Sequence, residues 1–169
     1  MEAKIGQFFD TIGNFFAGGD QIPWCEPSVI ASIEEEVAAA AANDVSEEEK
    51  GDCLTRLSWA LVHSKRNQDV QRGIAMVEVS LANTTSSSVQ RREKIYLLAV
   101  GYFRSGDYAR SRLLVEQCLE IAPDWRQALT LKKNVEDRIA KDGVIGIGIT
   151  ATALGLLVGG IAAAVARNN

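Results

Sequence analysis

Reactive side chains are few in this chain, and their spacing decides what they can do. There is one histidine, His63, and there are three cysteines, Cys25, Cys53 and Cys118. A nucleophile and its base must lie within hydrogen-bond reach. His63 and Cys53 are ten residues apart on one expected helix, which separates them by about 15 Å along its axis. A His-rich metal centre needs two imidazoles. Three scattered cysteines have neither the paired spacing of a zinc site nor the even number of a disulfide framework, so they read as reduced thiols. Gly146, Gly148 and Ala151 satisfy a G-x-G-x-x-A pattern, but a dinucleotide fingerprint needs a preceding strand and an accessible helix start, and this one sits inside an apolar run. No enzyme, metal or cofactor chemistry is expected. What remains is recognition.

Charge narrows the recognition. Outside residues 143–169 the chain holds all 22 acidic groups and 17 of its 18 basic ones, a charge of −5. That is the wrong sign for a nucleic-acid footprint, and no nucleic-acid partner is expected. Asn83-Thr84-Thr85 is a glycosylation sequon that a cytosolic domain would never present to the transferase. Gly143 to Ala166 is a run of 24 residues without a charged side chain. As a helix it would span about 36 Å, enough for a hydrocarbon core of about 30 Å. A transmembrane helix in the lipid bilayer is expected there, with a buried core helix as the alternative. Gly155 and Gly159 form a G-x-x-x-G pair that would let two such spans associate as a homo-oligomer, although six glycines in the run also produce such a pair by chance. Only Arg167, Asn168 and Asn169 follow the run. The expectation is therefore a single-pass tail anchor inserted after synthesis, with the N-terminal domain in the cytosol. Met1 to Phe16 is interrupted by Glu2 and Asp10 and lacks arginine, so neither a secretory signal nor a mitochondrial presequence is expected.

From Ser28 onward the signals are helical. Ser28 can cap a helix carrying Ile30, Ile33 and Val37, and Ser46 with Glu49 forms a capping box before Leu54, Leu57, Leu61 and Val62. Asp69 can cap the helix of Ile74, Val77 and Leu81. The Thr/Ser-rich stretch Asn83 to Ser88 is a loop, and Ser87 with Gln90 opens the next helix, which ends at Ser105-Gly106. Asp107 to Ile121 is helical, Pro123 stops it, and Asp124 opens a last amphipathic stretch to Lys141. No strand-like alternation is present. The expected fold is all-α, a bundle of about six helices with two tandem tetratricopeptide-like repeats and a C-terminal transmembrane helix.

The repeats are visible by position. Arg92 to Trp125 fits a helix-turn-helix unit, with Leu98-Ala99, Tyr102, the turn Gly106-Asp107-Tyr108, small Ser111, Val115, small Cys118, Leu119 and Pro123. Small residues recur where two helices must touch, and a breaker follows. An upstream unit aligns Trp59, Ala60 and His63 with Leu98, Ala99 and Tyr102, and Gly73, Val77, Ser80 and Leu81 with Ser111, Val115, Cys118 and Leu119. Two repeats cannot cover both their end faces, so the flanking helices should act as caps.

Two capped repeats joined to a C-terminal anchor resemble the mitochondrial fission 1 protein family. The resemblance is carried by residues 57–65 (LSWALVHSK), Gly73-Ile74, residues 96–102 (YLLAVGY) and residues 141–146 (KDGVIG), and the Phe-rich N-terminus is similar to plant members. It implies a membrane-anchored adaptor on the mitochondrial outer membrane and the peroxisomal membrane, facing the cytosol. It further implies recruitment of a dynamin-related GTPase, or of its adaptor, for organelle fission. The family commonly ends in several basic residues, where this chain has Arg167 alone. A tail-anchored cochaperone is the competing function, but it needs a ring of Lys, Arg and Asn across the groove, and only Lys65 and Arg104 are evident.

In such repeats the first helix of each unit lines a concave face. The groove positions are then Leu57, Leu61, Ser64 and Lys65 in the first unit and Tyr96, Val100, Phe103 and Arg104 in the second. An apolar floor with a basic rim suits an amphipathic helix or extended peptide bearing acidic residues; the plainer alternatives are core packing for Leu57 and Leu61 and a solvated face for Lys65 and Arg104. Ile5, Phe8, Phe9, Ile12, Phe15 and Phe16 recur at helical spacing ahead of Gly18-Gly19. So much apolar surface must be covered. This arm docks as an extra packing helix, occupies the groove as a regulatory segment, or rests on lipid. Trp24, Trp59 and Trp125 read as packing anchors. The domain organisation is thus an arm (1–20), a helical domain (21–142), a membrane anchor (143–166) and a short tail (167–169).

Overall fold

The computed structural model describes residues 2–18, 21–43, 45–82 and 87–142. They form seven helices: α1 (Glu2–Gly18), α2 (Pro27–Ala42), α3 (Glu47–Val62), α4 (Asn67–Ala82), α5 (Ser88–Ser105), α6 (Tyr108–Ile121) and α7 (Arg126–Asp142). The expected membrane span, residues 143–166, lies outside the described residues, as does most of the Asn83 to Ser88 loop. Among the described residues no helix is long and apolar enough to cross a membrane. Extended backbone pairs in one place among them, an isolated parallel bridge between Cys25 and Ser64.

Local chemistry sets the helix ends. Both capping boxes form, with the Ser46 and Ser87 hydroxyls accepting from the backbone N–H of Glu49 and Gln90. Asp107 accepts from the Arg110 N–H at the start of α6, and Gly106 before it takes φ 85°, a left-handed conformation open to glycine. Two starts differ from the sequence expectation. Helix α2 begins at Pro27, one residue before Ser28, because proline at the first position has no N–H to satisfy. Helix α4 begins at Asn67, so Asp69 sits inside its first turn. There its buried carboxylate accepts from Ser64 Oγ and Arg66 Nε, both at 2.7 Å, and ties the α3–α4 turn together.

Each helix from α2 to α7 packs on its chain neighbours, and α3, α5 and α7 also meet across the stack. The middle of α5 is enclosed on every side: all eight residues from Ile95 to Tyr102 are buried. That accounts for a run with no polar stripe. Two apolar clusters result, one around α4 to α7 and one between α2 and α3, and α1 contributes to both. Phe16 and Trp59 pack against each cluster and join them.

The small residues of the repeat pattern lie at the closest crossings. Ser111 is fully buried and donates its hydroxyl to the Ala99 carbonyl at 2.7 Å. A Cβ on Gly73 would stand 2.9 Å from both Cγ2 and the backbone nitrogen of Val62. Backbone cannot yield as a side-chain tip can, so Gly73→Ala should destabilise. Overpacking costs about 1–3 kcal/mol, and the helix-propensity gain of alanine over glycine, about 1 kcal/mol, offsets part of it. A lowered midpoint in chemical denaturation checks this; an unchanged or raised midpoint would show that α3 and α4 can move apart.

Candidate functional site: a groove closed by the first helix

Helices α3, α5 and α7 share one face, and α1 lies on it. The apolar positions of α1 are spaced so that Ile5, Phe8, Ile12 and Phe15 fall on one side, and all four are buried. Ile5, Phe8 and Ile12 join Val29, Ile30 and Ile33 of α2 and Leu57, Ala60 and Leu61 of α3. Phe15 joins the larger cluster. The half-buried Phe16 ring meets Trp59 of α3 and Tyr96 of α5, both edge-on at 5.8 Å, and stacks on Trp125 at 6.3 Å. Such pairs contribute beyond the area they bury. Phe9 lies under the Arg56 guanidinium, 5.5 Å from its ring centroid.

Polar contacts hold the end of α1 and the segment after it. A helix leaves its last four carbonyls without partners, and the Gln127 side-chain amide donates to two of them, Phe16 O at 2.7 Å and Phe15 O at 3.3 Å. The following strand-like segment crosses the far end of α5. There Arg104 donates to the carbonyls of Ile22 and Pro23, each at 3.0 Å, and its guanidinium lies 3.3 Å from the centroid of the Trp24 ring. Burial pulls the Arg104 pKa down to about 10, partly countered by Tyr96. The Cys25 N–H then donates to the His63 carbonyl at 2.8 Å, fixing the segment to the end of α3.

His63 closes the upper end of α3. Its ring stacks on Trp59, 5.5 Å away with planes 10° apart, and meets Phe8 edge-on at 5.9 Å. Nδ1 lies 2.7 Å from the Trp59 carbonyl, which can only accept, so Nδ1 carries the proton of the neutral ring. Burial lowers the His63 pKa to about 4, with Arg104 adding to the shift and the Trp59 hydrogen bond opposing it. Burial likewise pushes the Cys25 and Cys118 thiols up to about 12, against reactivity at neutral pH. Among the described residues no group of three or more His, Cys, Asp or Glu could hold a metal ion.

The residues singled out from the sequence fall in different places. Leu57 and Leu61 are buried beneath α1, and Tyr96 is buried against Phe16 and Trp125. Val100 lies wholly in the core, and Phe103 turns toward Tyr108 of α6 at 5.8 Å. Ser64 is buried in the α3–α4 turn, while Lys65 is exposed 4.0 Å from Glu26. Of the two basic residues, Arg104 hydrogen-bonds and stacks on the N-terminal segment, whereas Lys65 only meets the exposed Glu26 carboxylate at its end. Gln127, Trp125 and Arg92, whose guanidinium lies 4.6 Å from the centroid of the Trp125 ring, also belong to this face. Their one sequence signal is their position just after the helix-breaking Pro123 or one turn before Tyr96.

Comparison with known proteins follows the same outline. A model described as the Fis1 N-terminal tetratricopeptide repeat matches residues 56–84, and one described as the Fis1 C-terminal tetratricopeptide repeat matches residues 92–144. Mitochondrial fission 1 protein A of Arabidopsis thaliana is 61% identical over 170 residues, 99% of each chain. Protein B of the same plant is 51% identical and spans 99% of this chain and 100% of its own. The mouse mitochondrial fission 1 protein is 34% identical over 109 residues, 64% of this chain and 65% of its own. Among solved structures, yeast Fis1 in complex with an Mdv1 fragment aligns with a TM-score of 0.59 at 21% identity, covering 72% of this chain and 90% of that one. Fis1 from Saccharomyces cerevisiae aligns at 0.58, again at 21% identity, over 72% and 88%. At that identity the likeness is one of fold.

Proposed function

Because the chain belongs to the mitochondrial fission 1 protein family, we propose that it is a membrane-anchored adaptor that recruits a dynamin-related GTPase, directly or through a second adaptor, for division of mitochondria and peroxisomes. Its relatives are repeat adaptors and not enzymes, and the groove described above offers surface rather than reactive groups. One observation carries the reading: the face of α3, α5 and α7 accommodates an amphipathic helix, since it holds α1. A groove that accepts such a helix from its own chain can accept one from a partner. The neighbouring yeast structure, in which Fis1 is in complex with an Mdv1 fragment, supports the same use of the fold.

In this reading Leu57, Leu61, Tyr96 and Val100 form the floor and its support. Ser64, Lys65, Phe103 and Arg104 shape the upper end. Residues 1–20 act as a regulatory arm through Ile5, Phe8, Phe9, Ile12, Phe15 and Phe16, competing with the partner for residues 21–142. Residues 143–166 anchor the chain in the mitochondrial outer membrane and the peroxisomal membrane, followed by the tail 167–169. Imaging of a fluorescent fusion with and without residues 143–169, scored for organelle address and organelle length together, tests this. Rings on mitochondria or peroxisomes that vanish with the tail, with fragmented organelles on overexpression, are expected. A reticular pattern with unchanged organelle shape would overturn the reading.

A further inference from the structure

One end of the bundle is defined by the connections between its helices. Short turns join α3 to α4 at residues 63–66 and α5 to α6 at Gly106-Asp107. Helices joined in this way run antiparallel, which sets both turns at the same end. Helix α7 finishes there too. Lys132 lies 3.7 Å from Glu116 of α6, and ten residues on from the first and ten back from the second are Asp142 and Gly106. The segment before α2 crosses the same end, with the Cys25 N–H on the His63 carbonyl and Trp24 under the Arg104 guanidinium. Trp24 is 49% exposed, the one aromatic among the exposed large apolar residues of the described chain. Arg104 accounts for one face of its ring, and half of the residue is left without cover.

We infer that this end of the domain rests on the headgroup layer of the bilayer, with Trp24 inserted there as an interfacial anchor. The inference rests on residues 143–166 being the membrane anchor. The uncharged run begins at Gly143, directly after Asp142 and with no polar spacer between them. The headgroup layer is about 5–7 Å deep beside a hydrocarbon core of about 30 Å, so whatever lies level with Asp142 meets it. Tryptophan favours that layer because its ring is apolar while its indole N–H can donate. The exposed charges at this end are Lys65, Arg66 and Lys141 against Glu26 and Asp142, a weakly positive surface on a domain of net charge −5, which suits lipid phosphate. The helices then stand on the membrane, and the concave face of α3, α5 and α7 opens parallel to it.

The full chain is incorporated into phosphatidylcholine vesicles whose acyl chains carry bromine close to the headgroup, a quencher of indole fluorescence. Trp59 and Trp125 pack against the core of the bundle, so Trp24→Phe should remove at least half of the quenching seen with the intact chain. Equal quenching of the two chains overturns the inference. A second variant leaves the domain untouched: ten Gly/Ser residues inserted between Asp142 and Gly143, a spacer of about 17 Å. It should at least halve the quenching and raise the acylation rate of Lys65 at least threefold relative to that of Lys133, which is exposed midway along α7. An unchanged ratio overturns the contact. Flotation of the vesicles after alkaline extraction keeps this inference and the anchor reading apart. A chain that floats but shows neither effect retains its anchor without the docked end, and a chain that stays behind overturns the anchor and this inference together.

Discussion

Deleting residues 1–19 should raise the affinity of the chain for the adaptor or GTPase proposed as its partner at least tenfold and lower its melting temperature. Both effects come from one surface. Ile5, Phe8 and Ile12 are buried against α2 and α3, Phe15 is buried in the larger cluster, and the half-buried Phe16 packs on Trp59, Tyr96 and Trp125. A segment on the same chain competes at an effective concentration of order millimolar. The apparent affinity of any external helix is therefore reduced by the fraction of chains with an open groove. A closure free energy of only about 1.4 kcal/mol already produces a tenfold mask. The two readouts separate the possible roles of α1. Higher affinity assigns it a competing role, whereas a lower melting temperature with unchanged affinity makes it a packing helix and sinks the regulatory reading. Gln127→Ala is the milder companion variant. It removes only the hydrogen bonds to the carbonyls of Phe15 and Phe16, so a few-fold gain in affinity with little change in melting temperature is expected.

The parts of this fold legible from sequence are those set by local chemistry. Ser46 with Glu49 and Ser87 with Gln90 announce helix starts because the capping box is closed within four residues. Gly73 and Ser111 announce helix crossings because only small side chains fit there, and the matched family models cover both repeat units. The arm is legible as a helix with an apolar face and no further. Such a pattern states that something must cover it, while the covering surface of α3, α5 and α7 exists only once those helices are assembled. The partners of Trp24, Trp125 and Gln127 escaped for the same reason: each residue lies in or beside a connection and meets a residue about 80 to 112 positions away. Phe103 illustrates a different difficulty. Periodicity assigns a side of a helix when one side faces water, but α5 is enclosed all round from Ile95 to Tyr102, so the spacing just before Phe103 could not decide between the groove and Tyr108.

Acidification should destabilise the chain through His63 before its carboxylates are fully titrated. The ring is 1% exposed, stacked on Trp59 and set against Phe8, and it holds its single proton on Nδ1 toward the Trp59 carbonyl. A second proton would place a charge in this apolar site beside Arg104. The folded pKa is accordingly lowered to about 4, from an ordinary value of 6.5. Above pH 6.5 both states are neutral and His63 contributes no pH dependence. Between 6.5 and 4 the unfolded chain binds a proton that the folded chain refuses, so stability falls as pH falls. At about 1.4 kcal/mol per pH unit, the loss approaches about 3 kcal/mol by pH 4. Thermal melts at several pH values on the intact chain and on His63→Phe isolate this contribution, because the carboxylates titrate in both. The variant starts less stable at pH 7.5, having lost the Trp59 hydrogen bond, but its melting temperature should decline less steeply, so the two curves converge on acidification. Parallel curves would mean that His63 takes up its proton without opening the site. Since Phe8 shares that site, convergence should be accompanied by earlier protease cleavage within residues 2–18, with the arm loosening before the repeats unfold.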